Sequence, residues 1–153
     1  MATIFKAIQD PAADVIERLA ELAPDNPFCT VQYAKVRERA NSTRTCALLV
    51  RDDELVMAGC LGFLSEGRVN SRLEVTSLPV LAEKAVFWQG LMYACRRMGV
   101  TVLSVHTFGS VEPEITETRS RTSLKNRSEY RLDLTVPDLW QVMNRRHHRL
   151  VKK

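Results

Sequence analysis

Apolar and polar residues recur along this chain with two periods, and the switches between them mark its elements. "TIFKAIQ" (3–9) is a short strand candidate. In "DPAADVIERLAEL" (10–22) the period becomes helical: Val15, Ile16, Leu19 and Leu22 form one apolar stripe, while Asp14, Glu17, Arg18 and Glu21 face away. Asp10 suits the N-cap and Pro11 the first helical position. "APDNP" ends this helix with two prolines. "TVQYAKVRERA" (30–40) reads as a second helix, capped by Thr30.

Three strands follow. "TRTCALLV" (43–50) leads into the turn "RDDE". "LVMAGCLGFL" (55–64) is nearly all apolar, which predicts cover on both faces, and "SEG" closes it. In "RVNSRLEV" (68–75), Val69, Leu73 and Val75 alternate with Asn70, Arg72 and Glu74. "LAEKAVFWQGLMYACRRMG" (81–99) is the strongest helix. Ala85, Trp88, Leu91, Met92, Cys95 and Met98 line one side, and Gly99 is a natural stop. "VTVLSVHTF" (100–108) reads as a buried strand and "EYRLDLTV" (129–136) as a final one. Between them, residues 109–128 form a polar connection, long enough to be a mobile flap or disordered. Thr135, Pro137 and Asp138 open a last helix. The order β-α-α-β-β-β-α-β-β-α predicts an α/β fold with a mixed sheet packed on helices.

Composition narrows this picture. The chain has 153 residues, the size of one domain; 45% are hydrophobic and 26% charged. No apolar run approaches the roughly 20 residues of a membrane span, and "MATIFKAIQD" lacks the pattern of a signal peptide. A cytoplasmic location is expected. Cys29, Cys46, Cys60 and Cys95 are scattered and fit buried free thiols, with no metal site. The net charge of +4 is uneven: Arg and Lys crowd residues 119–153, a block able to hold an anion. Phosphate-loop, dinucleotide, zinc-protease and serine-hydrolase motifs are absent. His106, alone in an apolar strand, reads as structural, and no catalytic base stands out.

Three stretches carry a family resemblance. "NPFCTVQYAKVRERA" is similar to an aromatic-Ala-x-x-basic helix, with Tyr33 as the aromatic and Arg37 as the basic residue. "SRLEVTSLPVLAEKAVFWQGLMYACRRMGVTVLSV" looks like a Leu-Pro-Val segment leading into a long helix and a strand. "YRLDLTVPDLWQVMNRRHHRLVKK" looks like a Leu-Asp-Leu strand followed by a basic junction helix. In this order they resemble the first GNAT-like domain of the FemAB family. Its members usually carry two such domains and attach amino acids from aminoacyl-tRNA to peptidoglycan precursors; related members sit in bacterial cell-envelope loci. The resemblance implies a GNAT-like domain over residues 1–136 and a basic helix over 137–153 that leads toward a second domain. It further implies an aminoacyl- or acyltransferase whose acceptor-binding half this chain supplies.

That chemistry needs cations for a phosphate-bearing, nucleotide- or lipid-linked acceptor. Arg37 matches the family's basic position, with Tyr33 beside it; Arg72, on the polar side of its strand, is a second cation. Glu83 is the carboxylate nearest the family's acidic position after Pro79. The place for an acyl-CoA pyrophosphate loop, "SLPVLAEKA", has no glycine, and Pro79 removes a donor. No cofactor is therefore expected in this chain, and an aminoacyl-tRNA or acyl-CoA donor belongs to the complete enzyme. Two other readings remain open. A degenerate, non-catalytic GNAT module would dimerise or assemble through Leu139, Met143 and Leu150. The basic last helix could alternatively bind nucleic acid.

Overall fold

The computed structural model describes residues 3–78 and 83–108. The segment 79–82, the connection at 109–128, the strand expected at 129–136 and the basic helix at 137–153 lie outside them. The described elements run β1 (Thr3–Gln9), α1 (Ala13–Leu22), a short 3-10 turn (Pro27–Cys29), α2 (Val31–Asn41), β2 (Arg44–Asp52), β3 (Leu55–Glu66), β4 (Ser71–Val75), α3 (Lys84–Arg97) and β5 (Val102–Val105). This is the β-α-α-β-β-β-α-β order read from the sequence over the same span. The strands form one sheet in the order β1-β2-β3-β4-β5. β2 to β4 make an antiparallel meander, β1 pairs antiparallel with β2 across the two helices between them, and β5 lies parallel to β4 after the α3 crossover.

Each face of the sheet has its own core. On one, Leu48, Val50, Leu64, Leu73 and Val75 pack with Phe87, Leu91 and Cys95 of α3. On the other, Ala47, Leu49, Leu61 and Phe63 pack with Ile16 and Leu19 of α1 and Ala34 of α2. The central strand β3 therefore needs apolar residues on both faces, as expected, but only over Gly59–Leu64; Leu55 and Met57, nearer its start, are more than half exposed.

Four sequence expectations shift. Asp10 does not cap α1: its N–H continues the β1–β2 ladder to the Thr45 carbonyl, and its carboxylate accepts from Arg44. The N-cap is Ala12, without a side-chain bond. Leu22 lies outside the buried stripe, because α1 runs past the edge of its core after Leu19. Val69 is 86% exposed, since the chain turns through Gly67–Asn70 before β4 begins. On α3, Leu91 and Cys95 of the expected stripe are buried and Trp88 and Met98 pack against the same core, but Phe87 and Ala94 are buried as well and Ala85 is exposed. Gly90 lets the helix close on β1. An added Cβ there would stand 2.2 Å from Phe5, so the helix meets β1 backbone-first along this side.

The cysteines are buried free thiols, as the sequence suggests. Burial raises all four thiol pKa values, Cys46 and Cys95 to about 11. The folded protein thus keeps protons that the unfolded chain releases near the ordinary value of 9.0. This contribution to stability is complete below about pH 9 and falls as pH rises toward 11. Denaturant midpoints should therefore drop across that window. At pH 7.5, iodoacetamide should label none of the four thiols until the chain is unfolded.

Candidate functional site

On the face that carries α1 and α2, strands β1 to β3 present apolar side chains, whereas β4 and β5 present a polar strip. Strand alternation makes it: Leu73 and Val75 point into the α3 core, so Arg72, Glu74 and Thr76 point the other way. Register places Ser104 beside Glu74 across the parallel pair and Phe63 beside Glu74 on β3. His106 follows β5 and is held by its backbone, donating to the Val75 carbonyl at 2.8 Å and accepting from Leu78 N–H at 2.9 Å.

Helix α2 walls this strip. Thr30 caps it, its hydroxyl accepting from Tyr33 N–H at 3.2 Å. One turn further on, the Arg37 guanidinium lies 3.1 Å from Glu74 Oε2 and 4.9 Å from the centre of the Phe63 ring. The paired side chains are 19% and 26% exposed, so the contact is only partly screened by water. Arg37 Nε is buried with no hydrogen-bond partner. The other carboxylate oxygen, Glu74 Oε1, lies 3.9 Å from His106 Nε2, beyond hydrogen-bond reach but close enough for charge to be felt.

Aromatic rings enclose this polar group. His106 stacks on Phe108 at 5.5 Å, Phe108 meets Phe28 at 6.2 Å, Phe28 meets Tyr33 edge-on at 5.2 Å, and Tyr33 meets Phe63 at 5.6 Å. Buried Asn26 fixes the turn that carries Phe28. Its amide donates to Ser77 Oγ at 2.6 Å, and its oxygen accepts from Phe28 N–H. Tyr33 Oη lies 3.4 Å from Thr76 Oγ1. The arrangement places a carboxylate, held by one cation, beside an imidazole that follows the parallel strand pair. Such a group can accept a proton and stabilise the charge that results.

Of the residues singled out from sequence, Tyr33, Arg37 and Arg72 reach this strip. Arg37 is not a solvated helix residue, because it is committed to Glu74. Arg72 is exposed and donates to Ser104 Oγ at 3.0 Å, which leaves most of its guanidinium facing water. Glu83 does not join them. It is exposed at the start of α3, the helix of the opposite face, and its side chain makes no capping bond. Sequence reasoning passed over Glu74 and His106 as site residues. The available signal was an acidic residue between two core residues of a strand. Its partners come from α2 and β5, far away in the chain.

Among the described residues, no three His, Cys, Asp or Glu side chains gather as a metal site, and no helix is long and apolar enough to cross a membrane. The segment where a pyrophosphate loop would lie, 79–82, falls outside the described residues. No family model matches the chain, and no curated protein matches it. A solved structure described as the crystal structure of a probable acetyltransferase is similar to it, with 17% identity over 84% of this chain and 99% of that one and a TM-score of 0.48.

Proposed function

We propose that this chain is the acceptor-binding domain of a FemAB-type aminoacyl- or acyltransferase, working at the β4–β5 strip in the cytoplasm. The observation that supports it most is the Arg37–Glu74–His106 group, set among aromatic rings with Arg72 exposed beside it. Arg72 receives the phosphate of a nucleotide- or lipid-linked acceptor. In the arrangement described, Arg37 holds Glu74 through a single nitrogen. The acceptor's nucleophile rests against His106 Nε2, which takes its proton as the nucleophile attacks the acyl carbonyl carbon. The bond from that carbon to the leaving group breaks, and the imidazolium returns the proton to the departing oxygen or sulfur. Glu74 steadies the imidazolium: two unit charges about 4 Å apart attract by about 4 kcal/mol at an effective dielectric of about 20, before desolvation is subtracted. The absence of glycine from the "SLPVLAEKA" segment supports donor binding by a second domain or a second copy.

The test is transfer of labelled amino acid or acyl group from aminoacyl-tRNA or acyl-CoA to a nucleotide-linked muropeptide by the complete gene product, with calorimetric titration of the acceptor alongside. Labelled product together with heat of binding supports the reading. Arg72→Ala should then weaken acceptor binding about tenfold, the loss of one charge-assisted contact, with no change in Tm. Neither label nor heat, with a dimer in light scattering, would instead establish the non-catalytic assembly module.

A further inference from the structure

Helix α2 is held to the sheet in two different ways along its length. Its first turn is anchored by apolar contact: Ala34 is buried, and Val31 and Tyr33 pack against the α1 core. Its second half is not. From Lys35 to Asn41 every residue except Arg37 is exposed, and Val36 is 60% exposed. Two polar contacts tie this half to the sheet. Arg37 pairs with Glu74 of β4, and Glu38 Oε1 accepts from Thr45 Oγ1 of β2 at 2.5 Å. A third contact closes the helix end itself, where Thr43 Oγ1 donates to the Arg37 carbonyl at 3.1 Å beside Ser42 in the left-handed region. Arg37 is also incompletely matched, since it reaches Glu74 through one nitrogen while its buried Nε has no partner. A helix half without buried apolar area, held by side-chain bonds, opens at lower cost than the fold as a whole.

We propose that residues 35–41 form a latched wall over Phe63 and Glu74, held shut by Arg37–Glu74 and Glu38–Thr45, and that an oxyanion on the acceptor opens it by drawing Arg37 off Glu74. The inference rests on the strip being the acceptor site, but the latch itself needs no turnover to be seen. The first turn of α2 stays in place as the pivot, because Ala34 and the Tyr33 ring remain packed. Opening bares Glu74 and the Phe63 ring to a larger ligand than the closed strip admits.

Amide hydrogen exchange on the full chain tests this. In the wild type, amides 35–41 should exchange faster than those of 16–20 in α1. Glu74→Gln should accelerate 35–41 about tenfold, a local opening made easier by loss of one part-buried ion pair, and leave β2 and β3 unchanged. Thr45→Val should act on the same segment through the second latch. Sodium pyrophosphate, the probe oxyanion, should accelerate 35–41 in the wild type beyond sodium chloride of matched ionic strength. Rates for 35–41 that are unchanged in both variants, or that rise equally across the sheet, would overturn the latch. A pyrophosphate effect no larger than that of chloride would overturn its opening by an oxyanion. A transferase with a rigid α2, or an inactive chain with a latched one, would separate this inference from the proposed function.

Discussion

Gly90→Ala should lower the unfolding free energy by about 2–3 kcal/mol, far more than an exposed glycine-to-alanine change normally does. The added methyl would stand 2.2 Å from both Cβ and Cγ of Phe5 and 2.5 Å from its Cδ1. The Phe5 Cβ is the root of the side chain, so no rotamer change moves it away. Phe5 is further fixed by its edge contact with Phe87 at 5.6 Å. The helix must therefore lift from β1 and drag the fully buried Phe87 and Leu91 with it. Overpacking typically costs about 1–3 kcal/mol and sometimes more; a clash at the side-chain root belongs at the upper end, and better helix propensity returns about 1 kcal/mol. In a chain of this size the net loss is a Tm drop of about 5–10 °C. Urea titration measures it, and a double-mutant cycle with Phe5→Gly identifies the cause: once Cβ and the ring are gone, Gly90→Ala should cost little. A comparable loss in the Phe5→Gly background would show that Phe5 is not the obstacle. Gly99 is the contrasting case. Nothing lies within 4 Å of a Cβ there, but φ is +66°, so Gly99→Ala should cost about 1 kcal/mol through backbone strain alone.

The same glycine explains where reading the sequence falls short. Helix α3 has apolar residues on most of its circumference, from Val86 and Phe87 to Trp88, Leu91 and Met92, so hydrophobic period alone does not settle which side is buried. Gly90, which lets the helix close on β1, carries no side chain for a hydrophobic pattern to register. Periodicity served well where one side was plainly polar, as in α1 up to Leu19, and where alternation was strict, as in β4. It also placed α2 and its Thr30 cap, because the signals there are local. Asp10-Pro11 misled for the opposite reason: a good local cap was claimed by a long-range ladder bond to Thr45. The candidate site follows this logic. Tyr33, Arg37 and Arg72 could be singled out one by one, but their meeting at Glu74 depends on β5 returning parallel to β4, which brings His106 into place from over thirty residues away. Before that geometry is known, a polar strand face reads as solvent and a lone strand histidine as structural.

His106→Ala should reduce the rate of acyl transfer by about 10²–10³-fold, the range of a positioned general base, while leaving acceptor affinity nearly unchanged. His106 is partly exposed at the end of β5, and its backbone bonds to Val75 and Leu78 do not involve the ring. The variant should therefore fold, losing mainly the stack on Phe108. Glu74→Gln should act differently. It keeps the shape but removes the charge that steadies the imidazolium, and it leaves the guanidinium of Arg37 unmatched in a part-buried place. Its rate should fall less, by about 10–100-fold, with a stability loss of about 1–2 kcal/mol that His106→Ala does not share. The two rates separate these roles. A rate that His106→Ala leaves unchanged would assign the proton to another group and reduce His106 to a ring in the aromatic wall; a rate that Glu74→Gln leaves unchanged would mean that the 3.9 Å separation is too wide for the carboxylate to matter.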